Sequence, residues 1–219
     1  MRGVATDLHN VLLVTDKVVQ RPAASSWRKR ALDCLLAAGG LLLFLPLFLV
    51  VALAIRLDDG GPVFFTQQRT GLHGRLFTIL KFRTMRPQGD ASLTQQARRN
   101  DARVTPVGRL LRKLSIDELP QLINVLRGDM SLVGPRPHAL SHDVEWCGLV
   151  PGYAERFSVR PGLTGLAQVR GLRGEIESPD GLVRRIEADR EYIETWSFAR
   201  DLWLIVRTAP LVLADPRAY

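Results

Sequence analysis

Two adjacent carboxylates, Asp117 and Glu118, stand among cations. Arg109, Arg112 and Lys113 precede them and Arg136 follows, while Lys81 and Arg83 lie on an earlier β-rich run. A carboxylate attacks phosphorus when it is ionised and held on its target. Attack on a diphosphate also needs that group's charge neutralised, by arginine, lysine or a metal. Magnesium takes oxygen ligands from one or two carboxylates and the substrate phosphates. Adjacent carboxylates can therefore divide the work, one as nucleophile and one as metal ligand. Such pairs are common, and the spacing alone leaves a plain role at a helix start open.

Local signals say how the pair is presented. Ser115 and Glu118 form an S-x-x-E capping-box pattern, the simpler alternative for Glu118. Pro120 opposes it: with Ser115 as N-cap the proline would fall in the fifth helical position and forfeit a hydrogen bond. The expected helix begins at about Leu119 instead, with Asp117 and Glu118 at its mouth, where free N–H groups and the macrodipole favour negative charge. A turn at Gly128 follows, then the stiff loop Gly134-Pro135-Arg136-Pro137. Its prolines restrict Arg136, and each X-Pro bond is open to the cis form. A rigid cation suits a fixed anionic group, although a simple structural turn has the same sequence.

Further elements must bring the cations in. On a strand Lys81 and Arg83 share one face, either facing phosphate or merely solvated. Residues from Arg103 to Lys113 read as an amphipathic helix that delivers arginines to the dyad. Two glycine-rich stretches, 160–165 and 170–175, would let backbone approach a ligand, but lack Walker or dinucleotide spacing. Residues 86–100 are polar, and residues 181–196 read as a charged amphipathic helix.

The chain has 219 residues, 46% of them hydrophobic, and a net charge of +8. That excludes general disorder and suits an anionic partner: nucleic acid, acidic lipid or a phosphorylated substrate. No helix-turn-helix, zinc finger or aromatic RNA-binding motif accompanies the charge. Cys34 and Cys147 are expected as free thiols. His138 and His142, four apart with no third ligand, read as ordinary helix or turn residues rather than a metal pair. From Cys34 to Ile55 there is no charge. About 22 helical residues reach roughly 33 Å, enough to cross a hydrocarbon core. Pro46 interrupts the run, however, and cations flank both ends, so a plain span and a re-entrant bend fit equally well. From Tyr192 to Leu213, aromatic residues among aliphatics suit either a helix in the membrane interface or one packed on the core.

The strings KFRTM at 81–85, SIDELPQLINVLRGDMSLVGPRP at 115–137 and RPGLTGLAQVRG at 160–171 occur in that order. Together with the apolar run and the terminal aromatic segment, they resemble the bacterial sugar transferase family, the monotopic phosphoglycosyl transferases, over residues 27–213. The family often carries a tryptophan in the string that here reads Gly165-Leu166-Ala167-Gln168. Longer members add transmembrane helices and a soluble domain, for which residues 1–26 leave no room, so the resemblance is to a minimal catalytic form.

The resemblance implies an α+β fold: a mostly helical cytoplasmic catalytic domain with a few short strands, a re-entrant membrane helix broken at Pro46, and interfacial amphipathic helices. The expected divisions are an N-terminal arm at 1–26, the re-entrant helix at 27–57 and the catalytic domain at 58–219. The implied reaction moves a sugar 1-phosphate from a UDP-sugar to undecaprenyl phosphate and releases UMP, at the cytoplasmic face of a bacterial inner membrane. Asp117 would attack the β-phosphorus and form a covalent phosphosugar-aspartyl enzyme. Glu118 would help bind magnesium, the implied cofactor, and Arg112 would orient the dyad. Lys81, Arg83, Arg136 and Pro137 would form the phosphate and nucleotide site. Expected partners are the UDP-sugar, undecaprenyl phosphate and inner-membrane lipid, with a homodimer left open and nucleic acid not expected. The stretches at 135–142 and 171–178 look closest to members that initiate exopolysaccharide synthesis with glucose 1-phosphate, which favours UDP-glucose, with UDP-galactose second. The rival is a non-catalytic membrane scaffold or polyprenyl-phosphate binder of the same fold.

Overall fold

The computed structural model describes residues 21–86, 101–174, 176 and 178–214. Most of the N-terminal arm, and residues 87–100 of the polar stretch, lie outside the described residues. The chain opens with a short turn of helix, α1 (Pro22–Ser25), and a 17-residue helix, α2 (Trp27–Leu43). The Ser26 hydroxyl caps α2 by accepting from the Lys29 N–H at 3.3 Å. A second helix, α3 (Leu45–Asp59), continues at a bend of 60°. The break falls at Phe44, and Pro46 occupies the first turn of α3, where its missing N–H costs nothing. Gly60, with φ of 70°, ends α3 in the left-handed conformation. Among the described residues no single helix is long and apolar enough to cross a membrane, whereas the bent pair together has the length and composition. Leu42, Leu43, Leu45, Leu49, Val50 and Leu53 stand exposed around the bend.

Strands β1 (Phe64–Thr70) and β2 (Leu76–Phe82) form an antiparallel hairpin, with Phe64 opposite Phe82 and Thr70 opposite Leu76. Phe77 and Ile79 point into the core. Phe82 packs on α3, edge-on to Phe48 at 5.0 Å between ring centroids. Helix α4 (Pro106–Lys113) follows, with Thr105 as N-cap, so it starts later than the sequence suggested and leaves Arg103 outside, paired with Asp101. A Cβ at Gly108 would lie 2.1 Å from the Thr84 carbonyl oxygen, so α4 sits close against the end of the hairpin.

The dyad occupies a 3-10 turn, Ile116–Glu118, and α5 (Gln121–Arg127) begins two residues beyond the expected start. The capping alternative is overturned: the Ser115 side chain makes no cap bond, and its backbone is left-handed, φ 55° and ψ 18°. Arg30 donates to the Val125 and Leu126 carbonyls and so caps the far end of α5 from α2. The two helices pack closely, for a Cβ at Gly40 would lie 3.1 Å from Leu122 Cδ1.

Strand β3 (Ser131–Val133) pairs in parallel with β4 (Gly162–Thr164). Between them lie α6 (Leu140–Leu149) and a 3-10 segment, Tyr153–Ser158. Helices α7 (Leu166–Val169), α8 (Pro179–Glu194) and α9 (Phe198–Ala214) complete the chain. Val125, Met130, Val133, Tyr192, Ile193 and Leu204 are buried at the centre, and Ala37 of α2 joins them. In the terminal aromatic segment Tyr192 and Leu204 are buried in the core, as the packed reading has it, while Leu202, Trp203 and Val206 are exposed. Both cysteines are free thiols.

The glycine-rich stretch at 160–165 admits backbone rather than ligand. A Cβ at Gly134 would lie 2.4 Å from the Arg160 carbonyl oxygen, and one at Gly162 would lie 2.1 Å from the Gly134 nitrogen. These glycines let the Gly134–Pro137 loop cross the β4 segment at near contact. All described peptide bonds, including those before Pro135 and Pro137, are trans.

Candidate active site

Three elements converge on the carboxylate pair. The 3-10 turn holds Asp117 half-buried and Glu118 buried. Strand β2 sends in Lys81, whose Nζ donates to Glu118 Oε1 at 3.1 Å. The loop after β3 sends in Arg136, which engages both Glu118 oxygens in a fork, with Nη1 to Oε2 at 3.1 Å. A third cation arrives from the stretch after α7: Arg173 Nη2 lies 3.6 Å from Glu118 Oε2. Arg112, on α4, contacts Met85 Sδ at 3.4 Å, and its charge acts on Asp117.

The two carboxylates are driven apart electrostatically. Burial tends to raise both. At Glu118 the adjoining Arg136 and Lys81 outweigh it and hold the carboxyl well below the usual range. At Asp117 burial, then the neighbouring Glu118 charge, prevails over Lys81, Arg112 and Arg173 and pushes the carboxyl up to about 6. Glu118 is thus held as the anion by its cations, whereas Asp117 ionises only at about 6. An ionised, half-buried carboxylate beside a surplus of positive charge can attack an anionic phosphorus, because the cations offset the repulsion.

Not every expected residue joins the dyad. Arg83 lies just past β2, buried, and forms a forked ion pair with Asp59 at the end of α3. A Cβ at Gly61 would collide with its guanidinium. Arg83 therefore ties the hairpin to the bent helix pair. Pro137 is half-buried beside Arg136 and contributes a fixed backbone angle. His138 is buried between Tyr153 and Arg156, and the His142 ring lies tilted against Trp146 at 4.7 Å between centroids.

Arg173 is a cation at the dyad that spacing did not single out. Its only local signal is its place in a second glycine-rich stretch. Arg69, on β1, is a further, half-buried cation whose charge couples to Glu118 and Arg136; desolvation brings its guanidinium down to about 10.

The donor set fits a magnesium ion of one kind. Asp117 and Glu118 supply the one or two carboxylates that such an ion takes alongside substrate phosphates. Both Glu118 oxygens already accept from protein cations, and no cluster of three or more acidic, histidine or cysteine side chains occurs among the described residues. An ion here would share phosphate oxygens, and Glu118 would have to give up one of these cation contacts to hold it.

Comparison with known proteins places the chain. A family model for bacterial sugar transferases matches residues 24–215. A UDP-glucose:undecaprenyl-phosphate glucose-1-phosphate transferase of Caulobacter vibrioides is 57% identical over 192 residues, 88% of this chain and 72% of that protein. The Escherichia coli protein of the same name is 44% identical over 87% of this chain, which spans only 41% of its length. An exopolysaccharide production protein, ExoY, of Rhizobium meliloti is 40% identical over 87% of this chain and 88% of its own. On these similarities, and with the dyad and its cations in one site, the chain belongs to the bacterial sugar transferase family.

Proposed function

We propose that this chain transfers glucose 1-phosphate from UDP-glucose to undecaprenyl phosphate, releasing UMP, as an initiating step of exopolysaccharide synthesis. Support comes from relatives that carry this activity, or exopolysaccharide production, in their names and from one observation in the structure: Asp117 beside a carboxylate already neutralised by Lys81, Arg136 and Arg173.

In the proposed reaction an Asp117 carboxylate oxygen attacks the β-phosphorus of UDP-glucose. The phosphoanhydride bond to the α-phosphate breaks, and UMP leaves with the bond's electron pair. An acyl phosphate joins Asp117 to glucose 1-phosphate. An oxygen of undecaprenyl phosphate then attacks the same phosphorus and returns Asp117 as carboxylate, a ping-pong sequence. Arg136 and Lys81 fix Glu118 in the ground state and, with Arg173, offer charge to the diphosphate. Arg112 biases Asp117 toward its ionised form. Magnesium, held by Glu118, would neutralise charge on the phosphates.

The acceptor is a membrane lipid, and the bent pair α2–α3 with its exposed leucines suits a re-entrant anchor whose ends lie on one face of the bilayer. We assign the catalytic domain to the cytoplasmic face of the inner membrane. The test is UMP release in detergent from a panel of UDP-sugars with undecaprenyl phosphate and magnesium. UDP-glucose should be the preferred donor. Folded protein that releases UMP from none of them would favour the non-catalytic scaffold instead.

A further inference from the structure

Behind Arg136 lies a buried polar cluster that the chemistry above does not use. At its centre is Arg156, on the 3-10 segment Tyr153–Ser158, only 4% exposed. Its Nε donates to Asp189 Oδ2 of α8 at 2.8 Å, and its Nη1 donates to the Tyr153 hydroxyl at 2.9 Å and also lies 2.9 Å from His138 Nδ1. Its Nη2 donates to the backbone carbonyl of Arg136 at 2.6 Å. Tyr153 in turn donates to Asp143 at 2.6 Å, and Asp143 accepts from Thr70 at the end of β1 at 2.7 Å.

We propose that Arg156 is a positioning residue: clamped by Asp189, it fixes the backbone of Arg136 and, through that side chain, the carboxylate of Glu118. A buried ion pair is weak evidence for stability, since desolvation offsets much of the attraction. The bland account of Arg156–Asp189 is that it fills the smaller core of Trp146, Tyr153, Phe157, Leu182 and Ile186. The third bond argues for more, because it leaves that core and lands on the loop that carries a site cation. The loop is then held at two successive carbonyls, Pro135 by the Gly162 N–H at 2.9 Å and Arg136 by Arg156. Only a planar guanidinium reaches Asp189, Tyr153 and a carbonyl at once; an ammonium cannot span them.

The inference rests on the transferase reading, and a double-mutant cycle keeps the two separable. Arg156→Lys retains the charge and should lower kcat/KM about tenfold, while in an Arg136→Ala background it should cost no more than about twofold, since residues that act through one another are not additive. Its split between kcat and KM should match that of Arg136→Lys. Asp189→Asn, which loosens the clamp from the other side, should show the same coupling to Arg136. Melting in detergent follows the fold in each variant. Equal losses in both backgrounds would mean a merely structural cluster and overturn the inference, as would loss of cooperative melting in both Arg156→Lys and Asp189→Asn. An unsubstituted chain that releases no UMP overturns the transferase reading and this inference together, whereas an active chain with additive losses overturns only this one.

Discussion

The charge balance around Asp117 makes a signed prediction about pH. In the proposed reaction Asp117 must be ionised to attack, and burial with the Glu118 charge pushes its carboxyl up to about 6. The UMP-releasing step should therefore rise with pH through about 6 and level off above 7, because kcat/KM follows the free enzyme's essential groups. Arg173 opposes the upward push on Asp117. Two unit charges about 4 Å apart interact by about 4 kcal/mol at an effective dielectric of about 20. Arg173 is nearer to Glu118 than that, at 3.6 Å, but its side chain is 20% exposed and Asp117 is the neighbouring residue. Screening and the added distance leave about 1.4 kcal/mol, or about one pH unit. In Arg173→Gln the acid limb should move up to about pH 7, a further loss of about fivefold at pH 6 that largely vanishes by pH 8. Glu118→Gln removes the like charge that helps raise Asp117 and leaves the cations, so its residual activity should show a limb displaced downward. The assay is UMP release against pH at subsaturating UDP-glucose. Limbs that stay put in both variants, or move in the same direction, would refute this electrostatic picture of the dyad.

Other elements are open to equally direct tests. Lys29 Nζ and Asp201 Oδ2 form a buried pair at 2.7 Å, joined by the Val133 carbonyl and Tyr192, so Lys29→Met should cost about 3 kcal/mol and lower Tm by about 6–12 °C in detergent. Asp201 keeps bonds from Tyr192 and Trp196, which sets the cost at the lower end of that range. Gly162→Ala would place a Cβ 2.1 Å from the Gly134 nitrogen and should destabilise by about 1–3 kcal/mol or more, measured by the same melting. Single cysteines placed before Trp27 and after Asp59 should both resist a membrane-impermeant thiol reagent added outside intact inner membrane; labelling of either contradicts the re-entrant topology.

Local chemistry was readable wherever a residue acts on its neighbours. Pro46 announced a break in the apolar run, and the helix does bend beside it, at Phe44. Pro120 argued against a capping box at Ser115, and the structure has none there, although the left-handed backbone at Ser115 carried no signal in its residue type. What escaped the sequence are partners far apart along the chain. Spacing put Arg83 on the same strand face as Lys81, either facing phosphate or solvated, and could not show that Asp59, 24 residues earlier, pairs with it. Lys29 sits 172 residues from Asp201, and Arg156 sits 33 from Asp189. No spacing rule links such residues, since each pair meets only when separate helices dock. Arg173 reaches Glu118 by the same route. The glycines at 160–165 were legible as close-approach residues, but composition could not say that what approaches Gly162 is the backbone of Gly134.

The central claim is that Asp117 becomes covalently bound to glucose 1-phosphate. It is tested most directly by mixing the enzyme with UDP-glucose labelled in the sugar, with magnesium and without the lipid acceptor, and measuring UMP release and label on intact protein by mass. The account predicts about one UMP per active site and a matching glucose-phosphate adduct on Asp117, discharged by undecaprenyl phosphate and absent from folded Asp117→Asn. UMP release that occurs only when the lipid is present, with no adduct at any time, or an adduct that persists in Asp117→Asn, would contradict it.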